Sequence, residues 1–347
     1  MWRWLKRLTL TLLLLVALLF SPIIWIETAC RGTGETIAYT PITTDPAHHR
    51  AESRSYMTYP EWHIVHAYDD YARVISTDDP HDYRYISGIK GFWTSLCALS
   101  KTSAQHGGFS SASKQTIYTI GVSFTAELAM KALYEETIGR ISTIVRGPDH
   151  TALDDLSAQQ AAKYAKFLQQ VPWYKWDFPS DIAALKSTKI NSFRDSERAF
   201  ALGLEFGAKA KYAKLIAAAV ASVGADKLTL RLVITDIERT ALAGFDAVQI
   251  ITSHPQGIEV ETPRYRVLTH MLDELARDGA NFVEIAGNDD IMLTAISDAP
   301  YPDALHSFKR QGYGDFRHLI SLKVTDLADT LRSFDADLVR LEHIHDY

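Results

Sequence analysis

The sequence predicts an α+β protein: an N-terminal transmembrane helix, a mainly helical body and a C-terminal mixed α/β domain. Three observations carry this prediction. Residues 8–26 read LTLTLLLLVALLFSPIIWI, without a charge. From residue 56 to 224, apolar residues recur at spacings of three and four, the period of helices that bury one face. After Gly224-Ala225-Asp226 the period shortens towards two, and β-branched runs alternate with short amphipathic stretches. The corresponding segments are a membrane anchor at 1–28, an irregular stalk at 29–55, a helical domain at 56–224 and a mixed domain at 225–347.

At about 1.5 Å per residue the apolar run spans roughly 29 Å, the thickness of a bilayer's hydrocarbon core. Arg3, Lys6 and Arg7 precede it, flanked by Trp2 and Trp4. Basic residues stay on the cytoplasmic side, so the expectation is a single-pass signal-anchor with an extracytoplasmic body, periplasmic in a bacterial cell. Cleavage as a signal peptide needs small residues at the last and third-last positions, and Ala29 is accompanied there by Glu27. The same Glu27 stands where lipidation of Cys30 would want an aliphatic residue.

The chain has 347 residues, enough for one extended core or two ordinary domains. Its net charge of −6 argues against a nucleic-acid partner, because phosphate binding needs a basic surface. There are two cysteines, Cys30 and Cys97, and no CxxC pair, which leaves thiol exchange and a cysteine-rich zinc site without support. An oxidising exterior permits a Cys30–Cys97 disulfide that staples the body to the membrane-proximal segment. The alternative is two free thiols, with Cys97 buried in the run GFWTSLCAL.

The stalk contains Gly32, Gly34, Pro41 and Pro46 and has no period. Order is expected from Thr58, a helix cap, with Pro60 in the first turn and Trp62, Val65, Tyr68 and Ala72 on one face. This helix carries Glu61-Trp62-His63-Ile64-Val65-His66. His63 and His66 lie three apart, so both imidazoles can reach one transition metal or haem across a turn. Ordinary packed histidines are the competing reading in a chain with 13 of them, and spacing alone places neither His81 nor His106 nearby.

Residues 83–98 form a second apolar helical stretch, and 106–115 a glycine- and serine-rich loop. The surrounding aromatics, among them Tyr56, Tyr59, Tyr83, Phe92 and Trp93, close a core or line a cavity for a small apolar ligand. Long helices follow at 119–145 and 191–223, with a shorter one at 156–170 and an aromatic irregular segment, VPWYKWDFPSD, after it. The charges of the last long helix, including Arg194, Arg198 and Lys211, keep it out of lipid. Glu127, Lys131, Tyr134 and Ile138 repeat the spacing of Glu205, Lys209, Tyr212 and Ile216. Glu127 and Glu205 then either face each other as metal-holding carboxylates or serve as i,i+4 partners of Lys131 and Lys209.

In the C-terminal block, strands are expected at 228–234, 247–251, 257–260, 282–287, 291–297, 319–324 and 338–344. Helices are expected up to 243, over 263–277 and over 327–334. Asn288-Asp289-Asp290 predicts a hairpin between 282–287 and 291–297, its acidic pair a solvated turn or a point of cation attraction. His343 and His345 share one face of the final strand. No glycine-rich phosphate loop, dinucleotide fingerprint or GxSxG elbow occurs.

An anchor without a catalytic motif predicts an interaction or accessory role in the cell envelope. Its partners would be the membrane through residues 8–26 and an envelope protein or a small apolar ligand. The alternative is a metal- or haem-dependent enzyme or sensor, with ligands drawn from His63, His66, Glu61, Glu127 and Glu205. The sequence leaves open whether the protein is an enzyme.

Overall fold

The computed structural model describes residues 2–33, 39–223, 228–245, 247–335 and 337–347. The boundary expected at 224/225 and part of the expected stalk, including Gly34, lie outside the described residues. A mostly helical body follows one N-terminal apolar helix and leads into a C-terminal mixed region with two antiparallel sheets.

Helix α1 (Trp2–Ala29) is apolar and long enough to cross a membrane. Leu10, Leu13, Leu14 and Leu18 along it are exposed. Its end is packed into the body: Ile26 and Cys30 are buried with Phe92, Trp93 and Leu96. Glu27 there accepts from Lys114 Nζ at 2.7 Å and from Tyr118 OH at 2.6 Å. Cys30 is disulfide-bonded to Cys97 across 67 residues of chain.

The helical body comprises α2 (Ser53–Ile75), α3 (Tyr85–Ser103), α4 (Ser111–Tyr134), α5 (Arg140–Arg146), α6 (Ala152–Leu168), α7 (Phe178–Thr188) and α8 (Phe193–Val223). Side-chain caps fix several starts, since the first amides of a helix lack intrahelical partners. Ser110 accepts from the Ser113 amide, Thr151 forms a capping box with Asp154, and Asp177 accepts from Ser180. A π turn, Glu135–Gly139, joins α4 to α5. Gly139 is small for a local reason: a Cβ there would stand 2.2 Å from Glu135 Oε2. Helix α2 begins before the expected cap at Thr58, whose hydroxyl instead bonds the Ser55 carbonyl at 3.0 Å, and Pro60 lies inside the helix. Burial decides this, because Ser55, Tyr56 and Tyr59 are fully enclosed and hold the extra turn in place.

The C-terminal region runs β1 (Thr229–Thr235), α9 (Arg239–Leu242), β2 (Gln249–His254), β3 (Gly257–Pro263), α10 (Tyr265–Arg277) and β4 (Asn281–Ile285). It continues with β5 (Asp290–Ser297), β6 (His306–Lys309), β7 (Phe316–Lys323), α11 (Val324–Ser333) and β8 (Val339–His345). The sheets have the orders β2-β3-β1-β4 and β6-β7-β5-β8. Both trace the same path of three strands, a helix and a fourth strand, and all pairings are antiparallel. Even the irregularity recurs: the register shifts between Val233 and Ile234 against β4, and between Thr294 and Ala295 against β8. The region is therefore a structural duplication. Its helices cross over, α10 touching β8 and α11 touching β4, so that one continuous core contains Leu232, Leu272, Phe282, Leu293, Leu327 and Ile344.

The expected hairpin between β4 and β5 is not formed. The two strands belong to different sheets, and the isolated bridge beside them, between Ile285 and Asn288, closes before β5 begins at Asp290. Each strand already has its partners in its own sheet, β1 for β4 and β7 with β8 for β5. The link turns through positive φ at Ala286 and Gly287 (52° and 80°). Strand β6 was not expected, since four residues show no period.

The outer faces of the sheets are covered differently. Residues 39–50 lie on the first sheet and are pinned by buried Glu284, which accepts from Tyr39 OH (3.0 Å), the Thr43 amide (2.9 Å) and the Ile42 amide. Helix α2 lies on the second sheet, where Ser55 Oγ accepts from the Met292 amide (2.8 Å) and donates to the His345 carbonyl (2.8 Å).

Opening the Cys30–Cys97 loop of 67 residues releases unfolded-chain entropy equivalent to about 4 kcal/mol in the loop-closure account. Cys97→Ala is expected to lose stability of that order. Urea unfolding of the detergent-solubilised chain with and without reductant checks it, the reductant acting on wild type and leaving the variant unchanged.

Candidate functional site

Tyr59, His63, His66 and Asp70 recur along α2 at helical spacing and are all buried. His66 and Asp70 belong to a polar seam beneath the second sheet that also contains Arg317 of β7 and Glu342, His343 and His345 of β8. Arg317, 1% exposed, donates through Nε and Nη2 to the two oxygens of Glu342 at 2.6 and 2.7 Å. A fork of this kind is the strong form of a buried ion pair. Asp70 Oδ2 accepts from the Gln311 amide at 3.0 Å, and Oδ1 has no partner. Burial pushes the Asp70 carboxyl up to about 7, against the pull of Arg317.

The structure turns His63 and His66 apart. His63 Nε2 donates to the Gly88 carbonyl of α3 at 3.1 Å, and burial pushes its pKa down to about 3. His66 lies towards β8, its Nε2 3.5 Å from Glu342 Oε2. Beside the seam opens a cleft of about 610 Å³, lined by His63, Asp70, Arg84, Phe308, Arg310 and Arg317 among others. Glu61, the remaining α2 residue expected as a ligand, is exposed.

Glu127 of α4 and Glu205 of α8 do come together, in a square with two lysines. Lys131 stands 3.3 Å from Glu127 and 2.9 Å from Glu205, and Lys209 stands 3.0 and 2.7 Å from them. Tyr68 OH donates to Glu127 (2.7 Å) and accepts from Lys209 (2.8 Å). Burial alone would raise the Glu127 and Glu205 carboxyls, but the two ammonium groups hold both below the usual range. The square is neutral as it stands, and the lysines occupy the place that a metal would take between the carboxylates.

Two other groups have the geometry to hold a metal ion: Glu52, His106 and Asp290, and Asp79, His81 and Asp82, with one ligand atom from each within 4.8 Å of the others. In the second group Asp79 is already taken by Arg146 at 2.8 and 3.0 Å. The first draws its members from the start of α2, a 3-10 turn after α3 and the start of β5. His106 Nδ1 lies 3.0 Å from Glu52 Oε2 and 3.8 Å from Asp290 Oδ2. Its Nε2 meets Tyr56 OH at 3.2 Å, and the two rings stack at 5.2 Å. Lys323, half exposed, reaches Asp289 (2.9 Å) and Asp290 (2.5 Å) from the rim. Of this group the acidic turn Asp289-Asp290 carried a sequence signal, whereas Glu52 and His106 lie in segments without one.

No protein-family model, no curated protein and no solved structure matches this chain.

Because the folded pKa of Asp70 is raised, its protonated form favours the folded state. That contribution is full below the unfolded value near 3.8 and is lost as pH rises through about 7. Asp70→Asn, which mimics the protonated acid, should therefore gain on wild type as pH rises from 4 to 8. The limit is roughly 4 kcal/mol at 1.4 kcal/mol per pKa unit. Urea unfolding of both proteins across that range reads it, and parallel pH curves would refute it.

Proposed function

We propose that this chain is a single-pass, membrane-anchored protein whose extracytoplasmic body is a metal-dependent enzyme or sensor, with the metal held by Glu52, His106 and Asp290. The observation that carries the reading is the approach of one imidazole nitrogen to two carboxylates from distant parts of the chain, all three side chains being 10 to 14% exposed. Tyr56 orients the ring: its hydroxyl engages His106 Nε2 and Ser321 Oγ (2.8 Å), which directs Nδ1 at the carboxylates. Such an outer partner is the usual companion of a metal-ligating histidine.

One nitrogen and two carboxylate oxygens suit divalent zinc, manganese or iron and leave coordination positions for water or substrate. Asp289 adds negative charge at the rim. The apolar helix α1, with Arg3, Lys6 and Arg7 in its first two turns, supports an anchor whose body faces outward. The Cys30–Cys97 disulfide suits an oxidising compartment. An envelope interaction role rests on the anchor alone, which serves either reading.

Element-resolved metal analysis of detergent-purified, full-length protein without an added histidine tag tests the proposal. Wild type is expected to carry about one equivalent of a divalent metal at this site, lost in folded Glu52→Gln/Asp290→Asn. Metal content equal in the two proteins, or absent from both after incubation with zinc and manganese, would overturn it. Lys323→Met, which removes the competing positive charge, should tighten metal binding by roughly three- to tenfold in a calorimetric titration.

A further inference from the structure

We propose that the outer face shared by α4, α5 and α8 is the surface through which two copies of this chain associate. The proposal is independent of the Glu52–His106–Asp290 reading and shares no residue with it. On this face the usual arrangement of a protein in water is inverted. Arg194 and Arg198 are each 2% exposed, and Glu135 and Glu197 are buried with them, whereas Met130, Leu133, Ile141, Phe193, Phe200 and Leu204 are 56 to 70% exposed. Arg198 meets Glu135 at 2.6 Å and Arg194 meets Glu197 at 3.0 Å, so the charges satisfy one another inside the body. Among the described residues nothing covers the apolar side chains to that extent.

The six side chains form one surface. Lys131 meets Glu205 at 2.9 Å, and further along Tyr134 donates to Glu197 at 2.7 Å, so α4 and α8 run antiparallel with these residues turned towards each other. Met130, Leu133 and Leu204 each precede one of these inward residues by one position, as Phe193 precedes buried Arg194 and Ile141 precedes buried Ser142. Phe200 lies one turn before Leu204. One position is about 100° of helical rotation. In an antiparallel pair the reversed direction and the reversed facing cancel, so the same rotation brings both sets to one side. Six large side chains at this exposure present on the order of 800 Å² of mainly apolar surface. The largest apolar patch on a monomer is usually about 300–600 Å². Each partner of a stable dimer buries about 800 Å².

A second copy suits this face better than lipid does, for a reason found along α8. Gly203 and Gly207 stand beside Phe200 and Leu204 in the interior of a 31-residue helix, where glycine is unfavourable. A Cβ at either position would meet nothing within 4 Å, so no packing among the described residues calls for the missing side chains. A fluid bilayer gains nothing from their absence. Another helix does, because glycines four apart let two backbones approach closely. The face is therefore paired with itself, α8 crossing α8 of the second copy near Gly203 and Gly207, as the self-complementarity of a two-fold dimer requires.

The test uses full-length protein in phosphatidylcholine vesicles. Cys30 and Cys97 are bonded to each other, so an introduced cysteine is the one free thiol. With Leu204→Cys a short bismaleimide is expected to join most chains into dimers, and with Ile86→Cys, at a 67% exposed position on α3, few of them. Gly203→Leu/Gly207→Leu added to Leu204→Cys should lower the cross-linked fraction at least about tenfold with helix content unchanged. Absent cross-linking, equal cross-linking at 204 and 86, or a yield that the double leucine variant leaves unaltered would overturn the proposal. So would a nitroxide at position 204 that collides freely with oxygen dissolved in the lipid, because the face would then lie on the bilayer. Should the leucine variant lose helix content, Phe200→Ser takes its place with the same expected loss of cross-linking.

Discussion

The buried guanidinium of Arg317 is the constraint around which the second sheet and α2 are arranged. Taking such a group out of water costs several kcal/mol, and a well-formed ion pair is what makes the cost bearable. Glu342 supplies that pair with two short bonds. The fork links β7 to β8 across the intervening β5, and it fixes the carboxylate that His66 approaches. Asp70, further along α2, senses the same positive charge and remains so poorly solvated that burial still dominates its ionisation. The polar face of α2 is thus matched to one place on one sheet.

The duplication makes the special character of this place visible. In both halves the chain runs through three strands, a helix and a returning strand that is shifted in register against the central one. Val233 pairs with Glu284 in the first half, and Thr294 pairs with His343 in the second. The first position is closed, since Glu284 is saturated by a tyrosine and two backbone amides of the segment that covers it. The second is not saturated in this way, since α2 covers it with Tyr59 and Trp62 and leaves Nε2 of His343 and His345 without a hydrogen-bond partner. One architecture therefore carries a structural clamp on one outer face and an unsaturated polar seam on the other.

The helical body treats charge in a third way. Glu127, Lys131, Glu205 and Lys209 cancel one another in a square sealed by Tyr68. A closed square of this kind joins α4, α8 and α2, and its carboxylates already have positive partners. Helix α1 is coupled to the same body: Ile26, Glu27 and Cys30 pack against α3 and α4, and the disulfide fastens the junction. The body is thereby held at the end of α1.

Local periodicity made the architecture legible in outline. The uncharged run of α1, the three-and-four spacing of the body helices and the alternating strands of the C-terminal block each report a contact that a segment makes along its own length. Most element positions followed from them, and so did the shared face of His343 and His345. The hairpin at Asn288 and the helix start at Thr58 did not, because competing partners in each sheet and the burial of Tyr56 and Tyr59 outweighed the local turn and cap signals. By itself the sequence determined an apolar N-terminal helix long enough to cross a membrane, a helical body and a mixed α/β end. Only the tertiary structure decided which histidines and carboxylates meet. Glu52, His106 and Asp290, like His66 and Glu342, are separated by long stretches of chain, and their approach depends on how helices and sheets pack, a property that no local spacing encodes.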